Sequence, residues 1–358
     1  MKLSSIAFVI PYFCEGGHLP NTFRIWLKSC KHNPTIDWYL YTDDRTRYDY
    51  PANVHVTYIR FSEFIDLLQS LFDFPIGIKS PKKLCDFKVA YGDLLKDELE
   101  KYDYWGYCDL DIIWGNLRTF YTEEILHKYD KIGYTGNCTI YKNTRAVNTL
   151  YRQENHRGEI LYKKYFSDDH LYCFDEVGIN DIFSHHQIPC YTKTNFSNLA
   201  SMRPDFHMCF LPNNENYKNK FIIYCWKHGE LFHVYLHKDL VLYENIMFLH
   251  FLGSRNIEIK TTEKEEKFLV VPNRIIPWQE VTPQLLKEKT TGLWSKYIKT
   301  ELSKRKTITA KVFWLLQVIR YNYWAHFKSQ VFNYWLWTNY DKDKKDRLEI
   351  IKNRPEDF

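Results

Sequence analysis

Residues 102–117 read "YDYWGYCDLDIIWGNL", an aromatic and apolar run that leads directly into Asp109 and Asp111 and continues as another apolar run. Side chains alternate along an extended chain, so two acids one residue apart point the same way. Adjacent carboxylates repel each other, and a hard divalent cation such as Mg²⁺ or Mn²⁺ relieves this repulsion while leaving positions for phosphate oxygens. The pair therefore indicates a metal site, with a solvated surface turn as the alternative.

The segments upstream of this pair alternate between two patterns. Apolar, extended patterns predict strands at 5–13, 37–44 and 54–61, and helical spacing predicts helices at 19–30, 61–72 with Ser62 as N-cap, and 83–99. This order predicts an α/β fold, with a mostly parallel sheet flanked by helices. Ligands of such sheets bind beyond the carboxyl ends of the strands. The strand ends at Tyr12/Phe13, Asp43/Asp44 and Asp109/Asp111 are therefore expected to meet in one crevice.

The second half of the chain has a less regular pattern. We expect a strand pair with a glycine-containing turn in 131–143, a helix after Asp175 and Glu176, a hairpin in 221–236 and a strand that ends near Gly253. The predicted organisation is a catalytic domain over 1–280, with a nucleotide-sugar half at about 1–120 and an acceptor half at about 121–280. A basic, aromatic, helical C-terminal extension follows over 281–358.

Composition narrows the classes of function. With 45% hydrophobic residues in 358, the chain has enough apolar material for a large core, and the 18% of aromatic residues suit either that core or the stacking of sugar rings. The net charge of +5 comes with no basic stripe or helix-turn-helix pattern, which argues against nucleic-acid binding. The nine cysteines are odd in number and form no CxxC pair, which favours reduced thiols in the cytoplasm. The first apolar run is interpreted as a strand rather than a signal peptide, and no apolar segment is long enough to span a bilayer.

Several motifs in order resemble the GT-A superfamily of nucleotide-sugar glycosyltransferases. "AFVIPYF" is similar to its first strand, "WYLYTDD" to the next strand, "CDLDIIWGNL" to its Asp-x-Asp strand and "FLHFLGS" to the segment that carries a C-terminal metal-ligating histidine. The resemblance covers about residues 5–255 and implies a GT-A-like, Rossmann-type mixed sheet. It departs from the retaining pattern because "SRN" follows Gly253 where that pattern has x-x-Lys-Pro-Trp.

The resemblance implies roles for individual residues. It implies Asp109, Asp111 and His250 as ligands of Mn²⁺ or Mg²⁺, with Asp109 also near the ribose. Contacts to the nucleotide-sugar donor, with UDP as the expected nucleotide, are implied for Pro11, Tyr12, Phe13, Asp43, Asp86, Lys88, Gly253 and Arg255. The cation and a nearby basic residue would stabilise the charge that develops on the leaving diphosphate. The alternatives are a core histidine for His250, a turn acid for Asp43, and ordinary helix charges for Asp86 and Lys88.

Transfer to a hydroxyl with inversion at the sugar needs a base. The acids of "CFDEVGIND" lie where the superfamily often carries one, so Glu176 is the first candidate and Asp175 the second. Acids that favour a helix N-terminus are the alternative explanation.

The C-terminal segment 309–338 combines helical apolar spacing with Lys311, Arg320, Lys328 and four tryptophans. This combination is typical of a helix on an anionic membrane surface, and would bring a cytoplasmic enzyme to a lipid-linked acceptor. Packing against the main domain, or across a homodimer, is the alternative.

The expected function is therefore a metal-dependent glycosyltransferase that moves a hexose from a nucleotide sugar to a glycan or lipid-linked glycan during surface polysaccharide synthesis. Two other functions stay open. One is a different phosphate-cleaving metal enzyme, such as a nucleotidyltransferase or pyrophosphatase. The other is a non-catalytic carbohydrate-binding protein.

Overall fold

A computed structural model describes residues 3–14, 17–193, 195–200, 220–252, 257–292, 299 and 302–316. The chain forms two compact units. Unit 1 is Met1–Asn195, His228–Leu231 and Met247–His250, and unit 2 is Phe196–Lys227, Phe232–Ile246 and Phe251–Phe358.

The strands of the described residues are β1 Ile6–Tyr12, β2 Ile36–Thr42, β3 Val54–Tyr58, β4 Tyr104–Cys108, β5 Ile112–Trp114, β6 Lys131–Ile132, β7 Cys138–Lys142, β8 Cys190–Tyr191, β9 Ser197–Ala200, β10 Lys220–Lys227, β11 Glu230–His237, β12 Leu240–Asn245, β13 Phe248–Leu252, β14 Glu258–Ile259, β15 Lys267–Val271 and β16 Arg274–Pro277. The α-helices are α1 Phe23–Lys31, α2 Phe61–Gln69, α3 Leu84–Phe87, α4 Tyr91–Leu94, α5 Lys96–Leu99, α6 Glu123–Lys128, α7 Arg145–Asn148, α8 Leu161–Ser167, α9 Val177–His185 and α10 Pro283–Thr290.

Unit 1 is built on a seven-stranded mixed sheet in the order β3-β2-β1-β4-β7-β6-β8. Strands β3, β2, β1 and β4 are parallel, and β7 runs antiparallel to β4. Chain order runs outward from β1 to β2 and β3 on one side, whereas β4 lies on its other side. The sheet therefore has a topological switch point between β1 and β4, which is where open α/β sheets bind ligands. The predicted α/β class with a mixed sheet flanked by helices is confirmed.

The two faces of β1 bury different sets of side chains because successive residues of a strand face opposite ways. Ala7 and Val9 belong to a core that includes residues of α2, α3 and α4. Phe8 faces the other way and stacks on Trp38 and Trp114, with ring centroids 6.1 and 5.7 Å apart. Much of the aromatic excess in unit 1 thus fills the core on both faces of the sheet.

Local structure differs from the sequence prediction at two helices. Glu63 accepts a hydrogen bond from the backbone N–H of Arg60, which is the N-cap of α2, so Ser62 as N-cap was wrong. The single helix predicted over 83–99 is broken into α3, α4, α5 and short 3₁₀ turns. Gly92 lies within α4, where a Cβ would be 2.1 Å from the indole of Trp105, so the glycine allows this close approach.

The run around the paired acids also differs from the single extended segment expected. Strand β4 ends at Cys108 and β5 begins at Ile112, so Asp109 and Asp111 lie in the connection between them. Strand β4 belongs to the large sheet, whereas β5 pairs antiparallel with β13, where His250 is opposite Ile112. The acids are therefore placed where the chain leaves the large sheet.

Unit 2 contains most of an antiparallel-rich sheet of six strands in the order β12-β11-β10-β15-β16-β14. The predicted hairpin is confirmed as β10 and β11. Its core includes Ile223, Val234, Leu269 and Val271, and Leu286 of α10 is fully buried in the same cluster.

The described part of the C-terminal segment is helical over residues 308–316, and the rest of the predicted 309–338 helix lies outside the described residues. In the described part of the chain, no helix has the length and apolar character needed to cross a membrane. The eight cysteines found there are all free thiols.

Candidate metal centre

Three predicted ligands meet at the end of β4. One ligand atom from each of Asp109, Asp111 and His250 can be chosen so that all three lie within 4.8 Å of one another. The Nε2 atom of His250 is 3.2 Å from Asp111 Oδ1 and 3.6 Å from Asp109 Oδ2. Neighbouring ligands of an octahedral ion with bonds of about 2.1 Å are about 3 Å apart, so these spacings suit such an ion.

The burial of the three ligands also suits a cation at the protein surface. The imidazole of His250 is 4% exposed, whereas the side chains of Asp109 and Asp111 are 33% and 25% exposed. The two carboxylates can therefore meet a solvated ion from outside while the imidazole holds it from within. Oxygen and imidazole donors of this kind fit Mg²⁺ or Mn²⁺.

The electrostatics of His250 follow from the two acids. Burial alone lowers the pKa of this imidazole, but Asp111 and Asp109 outweigh that effect and raise the pKa above its ordinary value. The same two carboxylates that would attract a cation therefore also favour a proton on this imidazole.

Lys88 orients Asp109 from the side away from His250. Its Nζ is 2.8 Å from Asp109 Oδ1 and 2.7 Å from the carbonyl oxygen of Gly136, which leaves Asp109 Oδ2 on the His250 side. Burial lowers the pKa of Lys88, but the neighbouring acids, Asp109 first, outweigh it and raise the pKa well above its usual value. The ammonium therefore stays charged beside the predicted ligands.

The candidate bases lie on the same network. Asp175 Oδ2 is 3.5 Å from Lys88 Nζ, and Glu176 Oε1 accepts a hydrogen bond of 2.9 Å from the backbone N–H of Gly136. Burial, opposed by Lys88, raises the pKa of Asp175 from 3.8 to about 8. Gly136 is required here, because a Cβ would lie 2.3 Å from Asp175 Oδ2.

The predicted donor contacts at the first two strand ends occupy different environments. Pro11 and Tyr12 are partly exposed at the end of β1. Phe13 is 6% exposed and packs on the rings of Phe61 and Phe64, so it is a core residue. Asp43 accepts a hydrogen bond of 2.7 Å from the backbone N–H of Cys14 and thereby holds the loop after β1.

Asp86 is placed where it cannot reach a ligand in this structure. Its side chain is 0% exposed, and Oδ2 accepts from Lys83 Nζ at 2.8 Å. It also accepts backbone N–H groups of Tyr172 and Phe174, at 3.0 and 2.8 Å. We therefore assign Asp86 to holding the segment before Asp175, and not to donor contact. Gly253 and Arg255 lie outside the described residues.

Sequence reasoning missed Asn137. Its side-chain Nδ2 lies 3.2 Å from His250 Nδ1, and its carbonyl oxygen accepts the backbone N–H of Asp109 at 3.0 Å. Nothing local marks this residue, since it is 113 positions from His250 along the chain. The one signal that could have pointed to Asn137 is its position directly before β7, the strand that pairs with the end of β4.

Fold and site together define an α/β protein in which two carboxylates and an imidazole that could hold a metal ion meet at the end of a central strand of a mixed sheet. The chain belongs to a family of unknown function, DUF6625, whose model matches residues 8–279. That match includes all three predicted ligands. Among curated proteins, no relative matches this chain.

Two solved structures resemble the chain at low similarity. One is an active-site mutant of LgtC, with 9% identity, a TM-score of 0.35, and coverage of 70% of this chain and 88% of that one. The other is the galactosyltransferase LgtC in complex with donor and acceptor sugar analogues, with 9% identity, a TM-score of 0.32, and coverage of 81% and 96%. At this level the likeness carries no weight for activity, and the proposal below depends on the site itself.

Proposed function

We propose that the protein is a metal-dependent glycosyltransferase that moves a hexose from a nucleotide sugar, with UDP as the expected nucleotide, to a glycan or lipid-linked glycan in surface polysaccharide synthesis. The observation that carries the proposal is the convergence of Asp109, Asp111 and His250 at the end of β4. This end lies at the switch point of the sheet, beside β1 and β4, which is where open α/β sheets bind ligands.

The chain's own residues would divide the work as follows. Asp109, Asp111 and His250 would hold Mn²⁺ or Mg²⁺, which supplies positive charge to a leaving diphosphate when bound. Lys88 fixes the direction of Asp109 and adds a positive charge next to it. Pro11, Tyr12 and Asp43 remain the proposed contacts to the nucleoside because they lie at the neighbouring strand ends.

Glu176 remains the proposed base for the acceptor hydroxyl. Its side chain is partly exposed, whereas Asp175 is 4% exposed and has a raised pKa. An acceptor hydroxyl can reach a partly exposed carboxylate more readily than a buried one, so Asp175 is the second choice.

A thermal-shift panel tests the proposal against the other two functions. With Mn²⁺ present, UDP or GDP should raise the melting temperature, because a ligand at 100 times its Kd adds about 2.7 kcal/mol of stability. The Asp111→Ala protein should fold but lose this metal-dependent shift. Asp97→Ala, at an exposed position of α5, is the matched control and should keep it.

The other outcomes assign the other functions. Stabilisation by nucleoside triphosphates in preference to diphosphates would favour a nucleotidyltransferase or pyrophosphatase. Stabilisation by free oligosaccharide alone would favour a carbohydrate-binding protein. An unchanged UDP shift in Asp111→Ala would remove the metal assignment.

A peripheral membrane contact is proposed for the C-terminal segment. In its described part, Ile308, Val312, Phe313 and Leu316 are 81%, 50%, 64% and 59% exposed. Basic residues lie close by in sequence at 304–306 and 311. Exposed apolar side chains next to positive charge favour an anionic bilayer surface.

Co-sedimentation with vesicles containing anionic phospholipid tests this contact. Wild-type protein should bind and be released by salt, and Val312→Glu/Leu316→Glu should not bind. A variant that keeps vesicle binding would contradict the contact, whereas loss of a dimer in sizing experiments would point to the homodimer instead.

A further inference from the structure

The side chain of Asn137 lies between Thr135 and His250, directly behind the candidate metal centre. Its Nδ2 is 3.2 Å from His250 Nδ1, and its Oδ1 accepts a hydrogen bond of 2.5 Å from Thr135 Oγ1. Asn137 and His250 are both buried, so the two side chains meet away from solvent. There a polar contact fixes the orientation of both groups.

The same residue also reaches a second ligand through its backbone. The carbonyl oxygen of Asn137 accepts the backbone N–H of Asp109 at 3.0 Å, next to the register pair Cys108 and Cys138. A single residue directly before β7 therefore contacts Asp109 and His250 at once. This double contact explains how two ligands far apart in sequence are held in one geometry.

Cation binding at His250 Nε2 imposes a requirement on the opposite ring nitrogen. A neutral imidazole that offers the Nε2 lone pair carries its proton on Nδ1, and that N–H needs an acceptor. The amide of Asn137, as placed, presents its NH₂ group to Nδ1, which suits only the tautomer with the proton on Nε2.

A half-turn of the amide removes this conflict. It would present Oδ1 to His250 Nδ1 and Nδ2 to Thr135 Oγ1, a hydroxyl that both donates and accepts. The contact with Thr135 is thus kept in either orientation. A cation that binds at Nε2 releases any proton held there to water, and the metal-bound neutral ring carries its single proton on Nδ1.

We infer that Asn137 is a positioning residue for divalent-cation binding, whose side-chain oxygen accepts the Nδ1–H of His250 and so directs Nε2 at the ion. This inference rests on the proposed function, because it assumes the cation site of Asp109, Asp111 and His250. Partners of this kind fix the tautomer and ring orientation of a ligating histidine, and their loss typically weakens metal binding 10- to 100-fold.

Binding of Mn²⁺ alone, followed by electron paramagnetic resonance, tests the inference without any need for activity. Asn137→Leu removes the acceptor and should weaken Mn²⁺ binding by about 10- to 100-fold. Asn137→Asp keeps an acceptor oxygen for Nδ1–H and should bind Mn²⁺ at least as tightly as wild type. Asn148→Leu removes another buried asparagine, one that accepts from Trp105 Nε1, and should leave Mn²⁺ affinity unchanged in folded protein.

Thr135→Val provides a second route if Asn137→Leu does not fold. It removes only the hydroxyl that holds the amide, and should weaken Mn²⁺ binding several-fold. In ¹⁵N spectra, adding a diamagnetic ion, Mg²⁺, to wild type should leave His250 with a proton on Nδ1 and none on Nε2, and Thr135→Val should reduce this preference.

The results separate the inference from the proposed function. If wild type binds Mn²⁺, His250→Ala loses it, and Asn137→Leu or Thr135→Val binds as wild type does, the positioning role is overturned and the cation site stands. If wild type binds no Mn²⁺, the proposed cation site fails and the positioning role fails with it.

Discussion

At the scale of single residues, two carboxylates of the candidate centre share one basic side chain, Lys88, and the way they share it sets their different environments. Lys88 is the positive charge that contacts both Asp109 and Asp175 in the described structure. The closer contact, at 2.8 Å, is with Asp109, whose other carboxylate oxygen lies 3.6 Å from His250 Nε2. Asp175 is left with the longer contact and with its own burial, so its pKa rises.

Asp175 should therefore make stability depend on pH. Its pKa is about 8 in the folded protein and 3.8 for the ordinary group, so its contribution is present below pH 4 and is lost as pH rises to about 8. Between these values the unfolded chain binds fewer protons, and the free energy of unfolding falls by at most about 1.4 kcal/mol per pH unit. Asp175→Asn should remove this slope.

Urea unfolding of the metal-free protein at several pH values between 5 and 8 measures how the free energy of unfolding depends on pH. The stability of Asp175→Asn relative to wild type should rise steadily over this range, whereas Asp97→Asn should run parallel to wild type. Parallel curves for Asp175→Asn would show that Asp175 is ionised in the folded protein throughout.

Glu176 should be separable from the metal ligands by kinetics. Glu176→Gln keeps an acceptor oxygen for the N–H of Gly136, so the local fold and UDP binding should be retained. Transfer should slow by about 10²- to 10⁴-fold, which is the usual contribution of a general base. Measured turnover equal to wild type would exclude Glu176 and direct attention to Asp175.

At the scale of secondary-structure elements, the segment before Asp175 is held by a buried ion pair. Lys83 and Asp86 are 2% and 0% exposed, and Lys83 also donates to the carbonyl oxygens of Tyr165 and His170. Asp86 in turn accepts the N–H groups of Tyr172 and Phe174. The short helix α3 thereby fixes the loop that ends at the candidate base.

Asp86→Leu should consequently be among the most damaging substitutions outside the centre. Removing one partner of a buried pair costs about 3–5 kcal/mol because the other charge stays buried without compensation. Urea unfolding should show this loss, and the double variant Lys83→Met/Asp86→Leu should lose less than Asp86→Leu alone. A loss below about 1 kcal/mol in Asp86→Leu would mean that water replaces the pair.

At the scale of the whole molecule, local pattern predicted more of the sheet than of the site. The apolar runs of β1, β2 and β3 have the length and pattern of strands, and a helical segment separates β1 from β2. The three strands and their parallel arrangement could therefore be predicted from the sequence. Asp109, Asp111 and His250 could be proposed together only through an ordered set of motifs, and the structure brings them together.

The features that the sequence did not predict depend on contacts between residues far apart in the chain. Gly92 of α4 is packed closely against Trp105, and the carboxylate of Asp86 is held by residues 86 and 88 positions later. Asn137 meets His250 113 positions away. Periodicity predicts which face of a helix or strand is apolar. It does not predict which distant part of the chain will pack against that face.

The most direct measurement of the central claim is a crystal structure with Mn²⁺ and UDP, with anomalous scattering recorded for manganese. The account predicts one anomalous peak about 2.2 Å from oxygens of Asp109 and Asp111 and from His250 Nε2, with the diphosphate against the same ion. UDP bound with no peak at these three side chains, or a peak bound elsewhere on the protein, would contradict it.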